Sequence, residues 1–286
     1  NEFYADKFKY EIQSQYTADE IFAAALQRKE YLHNEMYIIA SKLWPKYFGS
    51  QTMPTDNLIL IKKVIDTISV QHVKAENFKQ EIEKQLPELT AFVKAKNLIY
   101  MDPTKPLKVR KEPGYMVGVA GASMSPPGPY EAKGTAFYNV GTLEGWSPEK
   151  AESYLREYNK YVLQILNIHE AIPGHYVQLM YSNQSPSIIK SVFQNSTMIE
   201  GWAVYSELMM LENGYGNNEP EMWLLYYKWN LRSTCNTILD ISVHTKNMSE
   251  ADAMDLLVRQ AFQQKTEAEG KWHRVQVTNV QLDCYF

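Results

Sequence analysis

Apolar residues recur three and four positions apart over most of this chain, and that periodicity commits it to a mainly helical fold. Thr17-Ala18-Asp19-Glu20 reads as a capping box opening a long helix to about Trp44, where Pro45 is expected to stop it. Ile21, Ala24, Ala25, Tyr31, Leu32 and Met36 mark its apolar stripe, interrupted once by Arg28. A second helix is expected over residues 56–85, with Leu58, Ile61, Ile65 and Ile68 on its apolar face, and a third over 86–96. Ser147-Pro148-Glu149 starts another, with Ser as cap and Pro in the first turn. It carries Tyr154, Tyr158, Tyr161, Val162 and Ile165 towards Glu170. Further helices are expected over 197–213, closed by Gly214, over 219–244, and from Ser249-Glu250-Ala251-Asp252 towards Phe262.

Residues 98–145 differ in character. The runs 115–120 and 135–140 are short, apolar and bounded by Gly and Pro, as strands are. Ser125-Pro126-Pro127-Gly128-Pro129 between them reads as a loop. Lys105, Lys108, Arg110 and Lys111 form a small basic cluster, read as a solvated strand face, with docking of acidic substrate groups as the alternative. The fold class is mainly α (α+β), with a small sheet beside the central helices. Residues 1–97 are expected to form an N-terminal helical segment of the same domain as 98–286, the region that holds the small sheet and the candidate metal-binding, catalytic residues.

Composition narrows the function. With 45% hydrophobic and 22% charged residues, the 286-residue chain has the balance of a soluble globular protein. A formal net charge of -4 argues against a general nucleic-acid or membrane-surface binder. Cys235 and Cys284 are too few for a disulfide scaffold, and no apolar run is long enough for a transmembrane helix. The start at Asn1-Glu2-Phe3 and the stop at Cys284-Tyr285-Phe286 imply a piece of a longer protein.

Chemistry concentrates at His169-Glu170-Ala171-Ile172-Pro173-Gly174-His175. A zinc hydrolase needs two imidazoles on the metal and a carboxylate beside the bound water, which His-Glu-x-x-His provides on one helical face. Here the second His is at i+6. On an undisturbed helix it would stand roughly 120° around and about 9 Å along from the first. Pro173 lacks an N–H and crowds the preceding turn, and Gly174 admits unusual backbone angles. The pair is expected to open the helix and return His175 to the metal, with a new helix continuing through Tyr176, Val177 and Met180. Glu200, 25 residues on, is the candidate third ligand, leaving a fourth position for water. Glu207 shares its helical face across the small Ala203 and can orient a ligand His. The alternative for Glu207 is a solvated helix carboxylate.

The run His-Glu-Ala-Ile-Pro-Gly-His, the later Glu200-Gly201-Trp202-Ala203 with Tyr205 and Glu207, and residues 240–245 followed by Ser249-Glu250-Ala251 resemble the domain-of-unknown-function-885 family. Pro126-Pro127 and Phe137-Tyr138-Asn139 also fit. These are mostly bacterial, gluzincin-like proteins, often exported or lipid-anchored, about twice as long as this chain, which is similar to their C-terminal part. The resemblance implies a zinc metallopeptidase with His169, His175 and Glu200 as ligands and Glu170 as base. It also implies a periplasmic or cell-envelope location and a lipid anchor in the missing N-terminus.

Other assignments are expectations from spacing. His244, fixed by Asp240 at i, i+4, and Tyr226 or Tyr227 are candidate donors to the oxyanion. Arg232 could clamp a substrate carboxylate, with a structural ion pair as the alternative. Residues 115–120 or Phe137-Tyr138-Asn139 could be an edge strand that pairs with a peptide, Asn139 and Tyr138 contacting substrate. Two rivals remain: a non-haem iron enzyme on the same two-His-one-Glu set, and a non-catalytic metal-binding scaffold. His33, His72 and His273 have no ligand spacing.

Overall fold

The structure, a computed structural model, describes residues 2–116, 121–129, 131 and 134–286. In chain order it contains helices α1 (Glu2–Ile12), α2 (Ala18–Phe48), α3 (Asn57–Ile68) and α4 (Phe78–Lys96), then strands β1 (Leu107–Lys111), β2 (Ala122–Ser125) and β3 (Ala136–Val140). Helices follow: α5 (Pro148–Glu157), α6 (Lys160–Glu170), α7 (His175–Ser182), α8 (Ile188–Val192), α9 (Ser196–Glu212), α10 (Pro220–Lys246), α11 (Glu250–Met254) and α12 (Lys265–Val277). The fold is mainly α with one small sheet, as the periodicity predicts. No helix among the described residues is long and apolar enough to cross a membrane.

The Thr17 capping box is present in full: the Thr17 side chain accepts from Glu20 N–H, and the Glu20 carboxylate accepts from Thr17 N–H. Pro45 does not stop α2. It sits in the last turn, and the helix ends at Gly49, whose φ of 59° suits glycine. Likewise Pro87 lies inside α4, which is one helix where two were expected to meet. The expected helix over 56–85 breaks after Ile68. The helix from Ser147 also breaks, at Asn159, whose side-chain carbonyl accepts from Tyr161 and Val162 N–H and starts α6. After α11 the chain widens into a π-helical turn, Asp255–Gln260, that the sequence did not signal.

The chain packs as two units interleaved in sequence. The first comprises residues 1–72, 148–162 and 218–286, and the second 73–147 and 163–217. In the first, α10 packs on α2, burying Leu32, Met36, Leu43, Leu225, Cys235 and Leu239. The charged Lys228 and Glu157 are buried there too, paired at 2.5 Å, with Gln264 N–H satisfying the second carboxylate oxygen at 2.8 Å. In the second, the sheet order is β1-β3-β2, with β1 parallel and β2 antiparallel to β3. Of the strand expected at 115–120, Tyr115 lies in a 3₁₀ turn (Gly114–Met116), and 117–120 fall outside the described residues.

α1 is tied to the first unit by Tyr4, whose hydroxyl lies 2.9 Å from Asp240 Oδ1 and 2.7 Å from Asp283 Oδ2. Burial, then the Asp240 charge, pushes the Asp283 carboxyl up to about 8. The folded chain therefore keeps a proton that the unfolded chain releases, and this group's contribution to stability falls as pH rises from about 4 to about 8. Asp283→Asn removes that titration. Thermal melts should show the variant gaining on wild type by at least about 4 °C between pH 5 and pH 9; parallel curves would refute the assignment.

Candidate metal centre

α6 ends where its own sequence forces it to. Ala171 N–H and Ile172 N–H both bond to Asn167 O, and Gly174 N–H reaches Ile168 O at 2.9 Å. Pro173 contributes no N–H, and its carbonyl accepts from Trp202 Nε1–H at 2.9 Å, which ties α9 to the turn. A Cβ on Gly174 would stand 1.8 Å from His169 O and 2.3 Å from Ile168 O. Only glycine fits that approach. α7 then begins at His175. The helix opens at Pro173-Gly174, and His175 comes back beside His169, with ring centroids 4.7 Å apart and planes crossed at 82°.

α9 brings the carboxylates. Glu200 Oε2 lies 3.4 Å from His169 Nε2 and 3.6 Å from His175 Nε2. Three ligand atoms held about 2.0–2.1 Å from one tetrahedral ion stand roughly 3.4 Å apart, so the spacing fits a zinc-sized cation. Glu170 offers a carboxylate oxygen within 4.8 Å of nitrogens of both His169 and His175. Proximity alone would make Glu170 a ligand. Glu200 Oε2 faces both Nε2 atoms within 3.6 Å, which makes it the candidate third ligand with Glu170 beside it. Glu207 is fully buried, and its Oε1 accepts from His169 Nδ1 at 2.7 Å, which leaves Nε2 facing Glu200. Ala203, also fully buried, sits between the two carboxylates on α9.

The electrostatics call for a cation. His175 Nδ1 and Glu200 Oε2 are buried without a hydrogen-bond partner. Burial alone would lower the His169 pKa, but the carboxylates of Glu200 and Glu207 beside the ring outweigh it and push the imidazole up to about 10. Burial would raise the Glu200 carboxyl, but His169 and His175 hold it well below the usual carboxylate range. Without a metal a proton on His169 meets the charge of Glu200 and Glu207; with the rings neutral, that negative charge is left for a divalent cation.

Two residues that sequence reasoning missed position α6. Asn167 accepts from the buried Tyr138 hydroxyl at 2.8 Å and donates to Gln85 Oε1 at 2.7 Å, linking β3, α6 and α4. Trp202 fixes the Pro173 carbonyl. A buried Asn within Ile165-Leu166-Asn167-Ile168 was the available signal for the first.

Several expected substrate and catalytic residues are engaged elsewhere. β3 is the central strand, bonded on both edges, so Phe137-Tyr138-Asn139 cannot pair with a peptide. Asn139 is fully buried, donates to Ser123 and Ser125 Oγ, and accepts from Arg110 Nε. Tyr138 serves Asn167, as above. The α10 residues belong to the first unit. His244 Nε2 lies 2.9 Å from the carbonyls of Val275 and Thr278, and only 4.0 Å from Asp240. Asp240 accepts from Val280 N–H and Leu282 N–H. Arg232 pairs with Glu267 at 2.5 Å over the Trp229 ring, which makes it structural. Tyr227 packs against Trp223 and Tyr226.

The family model described as a bacterial protein of unknown function, DUF885, matches residues 1–286. The chain belongs to that family. A solved structure from Shewanella oneidensis, a "putative lipoprotein of unknown function", is 55% identical to this DUF885 chain with a TM-score of 0.89. It is matched over 100% of the present chain and 51% of its own. A second, similarly described and from Colwellia psychrerythraea, is 19% identical with a TM-score of 0.80 over 99% of this chain and 46% of its own, and shares the fold. The DUF885 chain thus spans about half the length of these relatives. No curated protein matches it.

Gly174→Ala should cost more than about 3 kcal/mol or displace His175 so that one equivalent of Zn2+ no longer binds, read by melting and by metal titration. Gly270→Ala, at an α12 position with open space, is the control and should be neutral to stabilising. Equal effects would contradict the close approach. Glu207→Gln should weaken zinc binding roughly 10–100-fold; unchanged affinity would leave Glu207 without its orienting role.

Proposed function

We propose that this chain holds one zinc ion on His169, His175 and Glu200 and hydrolyses peptide bonds with Glu170 as general base. The observation that carries the reading is the convergence of two Nε2 atoms on Glu200 Oε2 at 3.4 and 3.6 Å with a further carboxylate alongside. A zinc ion there supplies a Lewis acid that brings the pKa of water to about 7 and polarises the scissile carbonyl.

The residues divide the remaining work. Glu170 takes a proton from water as the water oxygen attacks the carbonyl carbon, and passes it to the leaving amine as the C–N bond breaks. Glu207 keeps the proton of His169 on Nδ1 and so keeps the Nε2 lone pair available. Burial of His169, His175 and Glu170 keeps the local dielectric low, which strengthens every charge interaction among them. The lipoprotein description of the Shewanella relative supports an exported protein, in the periplasm or at the cell envelope, acting on peptides there.

Glu170→Gln decides the matter. With internally quenched and terminally free peptides as substrates, kcat should fall by about 10³-fold or more while one zinc per chain is retained. Undiminished turnover would remove Glu170 from the mechanism. Zinc lost together with activity would make it a ligand instead.

A further inference from the structure

Among the described residues, β1 has a neighbouring strand on one side only. Ala136 N–H bonds to Pro106 O, and Glu112 N–H to Val140 O, so the even-numbered residues turn their backbone groups towards β3. Leu107 and Val109 therefore present N–H and C=O to the outer edge. Open edges of this kind recruit a further strand unless something blocks them.

That edge opens onto a groove of about 890 Å³. One wall is a single face of α4, with Leu86, Pro87 and Ala91. The other is Leu107 and Val109, with Tyr176 also lining it. The lining carries Lys94, Lys105 and Lys108 against Glu83 and Asp102, so cations are in excess. Glu83 is paired with Lys79, and the Asp102 carboxylate, bonded by the hydroxyl and N–H of Thr104, faces the charge of Lys105. Lys94 and Lys108 are exposed at the groove and make no ion pair among the described residues. The remaining cations of the basic cluster on β1 are used elsewhere: Arg110 bonds Asn139 and stacks on Phe137, and Lys111 pairs with Glu144.

We propose that this edge docks an extended acidic peptide, which adds as a fourth strand beside β1. Its backbone bonds to the outward groups of Leu107 and Val109. Alternate side chains face the α4 wall, and its carboxylates meet Lys94 and Lys108. The site needs neither the metal nor Glu170, so it stands or falls apart from the peptidase reading.

The test uses a fluorescein-labelled, end-blocked hexapeptide of alternating Val and Glu, followed by anisotropy on the Glu170→Gln chain so that hydrolysis cannot consume it. Val109→Pro removes one outward N–H without touching the β3 ladder, and proline is tolerated at such edge positions. Binding should weaken at least tenfold in Val109→Pro, at least tenfold in the Lys94→Glu/Lys108→Glu double variant, and progressively with salt. Should Val109→Pro fail to fold, the same peptide N-methylated at alternate residues replaces it and should lose binding on the parent chain. Amide exchange should slow at Leu107 and Val109 when the peptide is present. No binding at 1 mM peptide would overturn the proposal. So would equal binding by all variants, protection of Ala122–Ser125 instead, or a concentration-dependent dimer that excludes the peptide and so assigns the edge to a second copy.

Discussion

Gly174 passes so close to the carbonyl oxygens of Ile168 and His169 that no side chain could stand in its place. The candidate metal centre depends on that contact. Without it, α6 would run on and carry His175 to the wrong side of the helix. With it, the chain leaves the helix after Glu170, turns within four residues, and starts α7 on His175 itself. One backbone approach thus converts a spacing of six, useless for shared coordination, into two crossed rings on one carboxylate.

The surroundings hold that turn in place from three directions. Trp202 binds the Pro173 carbonyl from α9, the helix that also carries Glu200 and Glu207, so carboxylates and turn are tied together. Asn167 anchors the end of α6 to β3 and α4 through Tyr138 and Gln85. Glu207 fixes the tautomer of His169. Each makes a hydrogen bond that is buried or partly buried, and such bonds hold geometry well because leaving a buried partner unpaired costs about 1–3 kcal/mol.

Much of this was legible in the residues, where local chemistry decides local structure. The Thr17 capping box, the Ser147-Pro148 start and the Pro173-Gly174 break act within one or two turns, and each lies where the pattern puts it. Glu200 follows from its place on a helix after His175, and Glu207 from sharing a face with it. The errors came where tertiary packing overrides local preference. Pro45 and Pro87 stay inside helices, Pro45 in a last turn and Pro87 amid the buried Ile82, Leu89 and Val93. Periodicity marked 136–140 as a strand and could not tell a central strand from an edge. His244, Asp240 and Arg232 read as chemistry because charged residues on helices look alike in sequence. Their partners, at Val275, Val280 and Glu267, come from segments 31 or more positions away.

The central claim is that His169, His175 and Glu200 grip one cation. X-ray absorption at the zinc edge, on the chain loaded with one equivalent, measures that shell directly. Two imidazole nitrogens and carboxylate and water oxygens, four ligands in all at about 2.0–2.1 Å, are predicted, with one imidazole lost in His175→Ala. A shell holding a single imidazole, or one unaltered by that substitution, would contradict the account.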